Sequence, residues 1–384
     1  MVRLPHVPTI VAFVLAGIVV AVVPGGSDRI MAAEAQQAVR PRTVTVLVAG
    51  GHDTVVLDSY FPRHVRVRAG DTVVWKFNGD ENHHLHTVTF SGGPFPGPKL
   101  ALAGGVPGEA LPDFWVPVPG GQPGELMWNP AEAWPTRQRG APVEKYDGTT
   151  YAHSGHMRMN PLVAGMPAAR EFSLTFTKPG LYRYACQLHA HMQGTIEVLP
   201  VNAKDVPSQE EIDRQAKAET ERLLELIEKG KALAQNVRSQ PGPNDTTFWY
   251  VRAGVFDRSA EMGGILFDFA PKELTVKVGD TVIWQATDTH TITFIPAPPP
   301  PILFDVRPRS DGPPFIVRNE QVWQPSKPTP VYDAAQYFNS GAIGIITPQG
   351  TSWALTFDKP GVYEYICALH HPMGMKGSIT VVAR

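Results

Sequence analysis

The sequence predicts a mainly β protein: two antiparallel β-sandwich domains joined by a helical linker. Three observations carry this expectation. Short segments alternate apolar and polar residues between Gly-Asp and Pro-Gly turns, as half-buried strands do. Three stretches recur in the same order in both halves of the chain, as in a duplicated domain. Between the halves lies a charged run with helical spacing.

At 384 residues the chain can hold about two domains with cores of their own. Its 34 basic residues against 36 acidic ones give no field for a polyanion, which excludes nucleic acid as a partner. The 38 prolines and 35 glycines fit long irregular loops between strands.

Residues 1–35 read as a signal peptide. Arg3 precedes the apolar run TIVAFVLAGIVVAVV (Thr9 to Val23), and Ala33–Ala35 offers a small-x-small cleavage site. An uncleaved membrane anchor is the alternative. Either way the chain is expected outside the cytoplasm, periplasmic or extracellular.

The first domain is placed at residues 40–200 and the second at 246–384. GDTVVWKFNGDENHHLHTVTF (Gly70 to Phe90) matches GDTVIWQATDTHTITF (Gly279 to Phe294). YDGTTYAHSG (Tyr146 to Gly155) matches YDAAQYFNSG (Tyr332 to Gly341), and LTFTKPGLYRYAC (Leu174 to Cys186) matches LTFDKPGVYEYIC (Leu355 to Cys367). A long loop follows the first matched strand in each copy. The first carries Trp115, Trp128 and Trp134, as loop packing or as a binding platform; the second carries the proline run Pro296 to Pro301.

Residues 201–245 form the linker. Ser208 and Glu211 have capping-box spacing, and Glu210–Arg214, Asp213–Lys217 and Glu225–Lys229 are acid-first i,i+4 pairs. Ile212, Ala216, Leu223 and Ile227 supply an apolar stripe, and Gly230 weakens the end. This helix is expected to act as a spacer setting the distance between the domains.

The two cysteines, Cys186 and Cys367, occupy equivalent positions of the repeat. That argues against a disulfide between them, although export would ordinarily suggest one. Each is followed by a ligand-rich loop, CQLHAHMQG in the first copy and CALHHPMGMKG in the second. One thiolate, two imidazoles and a weak thioether are the donors of a type 1 copper site, whereas zinc and iron–sulfur sites need other sets. The second histidine must come from elsewhere. His86 and His290 head equivalent strands, and His290 is the one histidine of its copy before Cys367, so it is nominated unless His371 serves instead.

With its remote His, Cys-x-x-His and following Met, each copy resembles the blue copper cupredoxins of the plastocyanin, amicyanin and azurin group. The resemblance covers the ends of each domain and not the long loops. It implies a Greek-key β-sandwich and two type 1 coppers. One site would be His86, Cys186, His189 and Met192, with amicyanin-like loop spacing. The other would be His290, Cys367, His370 and Met375, with Met373 as the rival axial ligand; counting back from Gly377 favours Met375. It further implies a one-electron carrier serving redox partner proteins, with His189 and His370 near the surface as entry points.

Two other readings remain. Copper oxidases and nitrite reductases place a histidine directly beside the cysteine, but Ala185, Gln187, Ile366 and Ala368 flank these two. Against that, HHLH resembles an oxidase His-x-His element, and the first copy holds extra histidines at 83, 84, 153, 156 and 191. Hydrogen-bonded loop residues account for them more simply than a further metal site. Copper storage would use methionines such as Met157, Met159 and Met166, which otherwise fill cores.

Overall fold

The computed structural model describes residues 40–92, 115–136, 144–189, 191–256, 263–286, 288–296, 299–327, 332, 336–344, 347 and 349–384. The segment read as a signal peptide lies outside them. Among the described residues no helix is long and apolar enough to cross a membrane.

Each half packs two sheets face to face. In the first half the strands Thr43–His52, Val55–Phe61, Thr72–Phe77, Glu171–Phe176 and Glu144–Tyr146 make one layer. The strands His64–Arg68, Gln193–Leu199, Gly180–Ala185, Thr89–Phe90 and Ala152–His153 make the other. Alternate residues of Thr72–Phe77 and Glu171–Phe176 point inward, so Val73, Trp75, Phe172 and Leu174 fill the core. The second half repeats the layout, with Trp284 where the first has Trp75. Each tryptophan is fully buried and meets a tyrosine edge-on, Tyr184 at 5.2 Å and Tyr365 at 5.4 Å between ring centroids.

The sheets are mixed, not purely antiparallel as the strand pattern suggested. Thr43–His52 runs parallel to Thr72–Phe77, and His64–Arg68 runs parallel to Gln193–Leu199. The reason is topological. The chain leaves the first sheet after Val55–Phe61, forms a strand in the opposite sheet and returns beside its starting strand in the same direction.

The halves join through backbone. Val55–Phe61 pairs antiparallel with Gly264–Ala270, matching Leu57 with Gly264, Val56 with Ile265 and Val55 with Leu266. Strand register within each half makes Leu57 equivalent to Leu266 and Tyr60 equivalent to Phe269. The contact is therefore isologous, with a local two-fold through Val56 and Ile265. It fuses the two inner sheets into one of ten strands.

The two long loops obey the same symmetry. Hairpins Trp115–Pro117/Leu126–Trp128 and Phe304–Arg307/Phe315–Arg318 meet through Met127 and Val317 in a four-stranded sheet. Trp115, Trp128 and Trp134 pack there with Phe304 and Trp323.

The helix Gln209–Ala234 starts on the capping box: Ser208 N donates to Glu211 Oε2 at 2.7 Å and Glu211 N to Ser208 Oγ at 3.3 Å. It is not a spacer. Ala216 and Ile227 pack with Leu57, Phe61 and Leu266, so the helix lies across the joint between the halves. That packing carries the helix past Gly230, whose interior cost is only about 1 kcal/mol.

Candidate metal centres

In the second half Cys367 directly follows the strand Gly361–Ile366, and His370 stands at the head of the short turn His371–Met373. His290 precedes the strand Thr293–Phe294 and is pinned by paired backbone hydrogen bonds with Ile343. These placements bring three donor atoms together. Cys367 Sγ lies 3.4 Å from His370 Nδ1 and 3.8 Å from His290 Nδ1, and the two nitrogens are 3.1 Å apart. Thr291 N donates to the sulfur at 3.4 Å. Phe267 stacks on His370 with centroids 4.0 Å apart.

Burial sets the protonation of this trio. It lowers the His290 imidazole to about 3. It holds His370 well below the usual histidine range, with His290 adding to the effect, and it pushes the Cys367 thiol up. Both rings are neutral and present lone pairs, which suits metal ligation. His290 Nε2 is buried without a hydrogen bond.

Met375 is the structural counterpart of Met192. Cys367 N donates to the Met375 carbonyl at 3.1 Å, as Cys186 N does to the Met192 carbonyl at 2.9 Å. Met373 belongs to the extra turn that lengthens the second loop. Both Met192 and Met375 side chains are buried. Both cysteines are free.

The first half differs. Cys186 Sγ lies 3.4 Å from His189 Nδ1, and Thr87 N donates to the sulfur at 3.4 Å. His86, fully buried, directs Nε2 toward Asp58 Oδ1 at 3.7 Å. Ala49 explains the altered ring. It occupies the bulge position of Gly254, and a Cβ on Gly254 would collide with His290 Nε2. A ring posed like His290's would meet the Ala49 methyl. Burial pushes the Cys186 thiol up to about 11 and takes His189 down to about 3.

Asp58 is the residue that sequence reasoning missed. It is fully buried in the strand Val55–Phe61, and four histidines converge on its carboxylate. His84 Nε2 is 2.6 Å from Oδ1 and His86 Nε2 3.7 Å; His191 Nε2 is 3.5 Å from Oδ2 and His189 Nε2 4.0 Å. Burial would raise this carboxyl, but the surrounding His189, His84 and His191 outweigh it and hold it well below the usual carboxylate range. The signal lay in one acid within the apolar run VVLDSYF, at the position where the second copy has Phe267.

The other extra histidines have internal roles. His83 bonds the Gly50 and His84 carbonyls at 2.8 and 3.1 Å. His153 bridges Thr89 Oγ1 at 2.8 Å to the Glu132 carbonyl at 2.7 Å, the task Asn339 performs between Thr293 and the Val322 carbonyl. His156 packs edge-on against Trp128. Met157 pairs its backbone with His86, and Met166 sits in the tryptophan cluster.

His189 and His370 face one shared cavity. Both line a cavity of about 620 Å³ between the halves, together with His84, Phe267, Trp115 and Trp323.

The profile of the copper-binding plastocyanin/azurin family matches residues 257–382. A plastocyanin of Scenedesmus fuscus is 30% identical over 124 residues, 32% of this chain and 92% of that protein. The chain belongs to this family. Among solved structures, a Cu(I) form of an amicyanin mutant aligns at 17% identity over 41% of this chain and 82% of its own, with a TM-score of 0.21. A purple cupredoxin from Nitrosopumilus maritimus aligns at 20% identity over 35% and 98%, with a TM-score of 0.19. As a plastocyanin/azurin-family protein the chain is a copper protein. The residues matched by the profile include His290, Cys367, His370 and Met375.

Proposed function

We propose that the chain is an exported one-electron carrier with two type 1 copper sites. One would be held by His86, Cys186, His189 and Met192, the other by His290, Cys367, His370 and Met375. The observation that carries this reading is the convergence of His290 Nδ1, Cys367 Sγ and His370 Nδ1 within 3.8 Å in a buried pocket. Thiolate, two imidazoles and a nearby thioether suit copper over zinc.

When bound, copper supplies a one-electron couple. The protein's part is to fix the donors and exclude water. Backbone N–H groups of Thr87 and Thr291 hold each sulfur, and Phe267 braces the His370 ring. Consecutive ring contacts, His189 to His84 at 4.5 Å and His84 to His370 at 6.5 Å, support passage of an electron between the halves. Redox proteins outside the cytoplasm would be the partners. Neither cysteine has the flanking histidine that wires oxidases, which favours a carrier over an enzyme.

Copper-loaded full-length protein is expected to show intense visible thiolate-to-copper absorption at two coppers per chain. Cys186→Ala and Cys367→Ala should each remove about half of that absorption, one site of two. Colourless protein, or zinc in these sites, would sink the proposal.

A further inference from the structure

We infer that Asp58, His84 and His191 form a third metal site, separate from the cysteine sites, for a divalent transition-metal ion such as Cu(II) or Zn(II). The inference rests on the reading above only in assigning His86 and His189 to the Cys186 site.

The first argument is the cost of the carboxylate. Asp58 is 0% exposed, and burying a carboxylate costs several kcal/mol unless partners compensate it; here the partner at Oδ1 is His84 Nε2 at 2.6 Å. Among the described residues its ion-pair contacts are all histidines, with no lysine or arginine among them. Oδ2 lacks an aligned hydrogen bond. A buried carboxylate whose neighbours are imidazoles has the composition of a metal site.

The second argument is geometry. His84 and His191 approach different oxygens through Nε2, at 2.6 and 3.5 Å, and come from separate loops. The donor atoms that all lie within 4.8 Å of one another are those of Asp58, His84, His86 and His189, and His191 reaches the cluster through the other carboxylate oxygen, 3.5 Å from Oδ2. If His86 and His189 serve the Cys186 site, Asp58, His84 and His191 remain as a two-histidine, one-carboxylate set. Three such ligands leave coordination positions open for water or a small ligand. His84 also lines the cavity of about 620 Å³, which provides access.

The third argument is the internal control. Counting from the matched residues, the second half has Phe267, Asp288 and Gly374 where the first has Asp58, His84 and His191. The fold and the cysteine loop therefore form without this trio, so maintaining the sandwich does not account for it.

The test is a metal count and an EPR spectrum on copper-loaded full-length protein. A third copper is expected, with a non-blue Cu(II) signal of wide hyperfine splitting. His84→Gln and His191→Gln, at partly exposed positions and checked for folding by circular dichroism, should each lose that ion and its signal while the visible thiolate band stays. Asp58→Asn should do the same. The inference is overturned if wild type binds no third ion, or if that ion survives both histidine substitutions. A blue protein without the third ion sinks this inference alone; a colourless protein with it sinks the two-site reading alone.

Discussion

Against His370 the second half lays the Phe267 ring, 4.0 Å between centroids; at the matching position the first half buries Asp58 among four histidines. Gly254 leaves room for His290, while Ala49 turns His86 toward that carboxylate. One fold thus surrounds two equivalent loops with opposite chemistry. The second half sets an aromatic wall beside one trio of donors. The first is a polar cluster with donors to spare. Because strand register fixes the equivalence, each difference can be read as a substitution already made within one molecule.

The largest effect in that comparison is expected from Phe267→Ala, which removes a fully buried ring and its stacking on His370. It should cost about 3–5 kcal/mol in urea denaturation of the metal-free protein. A loss below about 1 kcal/mol would mean that the wall carries little packing.

A second pair contrasts Glu132 with Val322, whose carbonyls serve His153 and Asn339 in the same way. Burial raises the Glu132 carboxyl to about 8. The folded state therefore holds a proton that the unfolded chain releases near the usual glutamate value. Stability from this group is present at low pH and is lost as pH rises from the usual glutamate range through about 8, by on the order of a few kcal/mol. Glu132→Gln should flatten the profile and stabilise the protein most at the alkaline end. Parallel pH profiles for wild type and variant would refute this.

The smallest effect is expected at His153. Its replacement by Asn, the residue of the second half, retains a donor and an acceptor for Thr89 and the Glu132 carbonyl and should cost no more than about 1 kcal/mol. His153→Leu should cost about 1–3 kcal/mol more by removing a partner of the buried Glu132 carbonyl and one of the two partners of the Thr89 hydroxyl, which keeps Thr87, measured by thermal denaturation. Equal losses for the two variants would show that the bridge is irrelevant.

Much of the architecture was legible in the chain because its signals are local or periodic. Strand alternation, the Ser208–Glu211 cap and the repeat needed no coordinates. The convergence of Cys367, His370 and His290 was legible too, since the repeat marks each position twice, whereas the turn of His86 toward Asp58 was not. The mixed sheets were not, because strand alternation shows which face is buried and not which strand lies alongside. The helix Gln209–Ala234 was legible as a helix but not as a clamp, because its partners Leu57, Phe61 and Leu266 lie far from it in sequence.

The sequence by itself determined the β-rich, repeated fold and the family, because these follow from residue type at short spacing. Only the tertiary structure decided that the halves share one sheet, that His189 and His370 face one shared cavity, and that Asp58 gathers His84 and His191. Those facts depend on contacts across 26 residues of chain (Asp58 to His84) to 211 (Val55 to Leu266), where strand register and not local propensity sets what meets what.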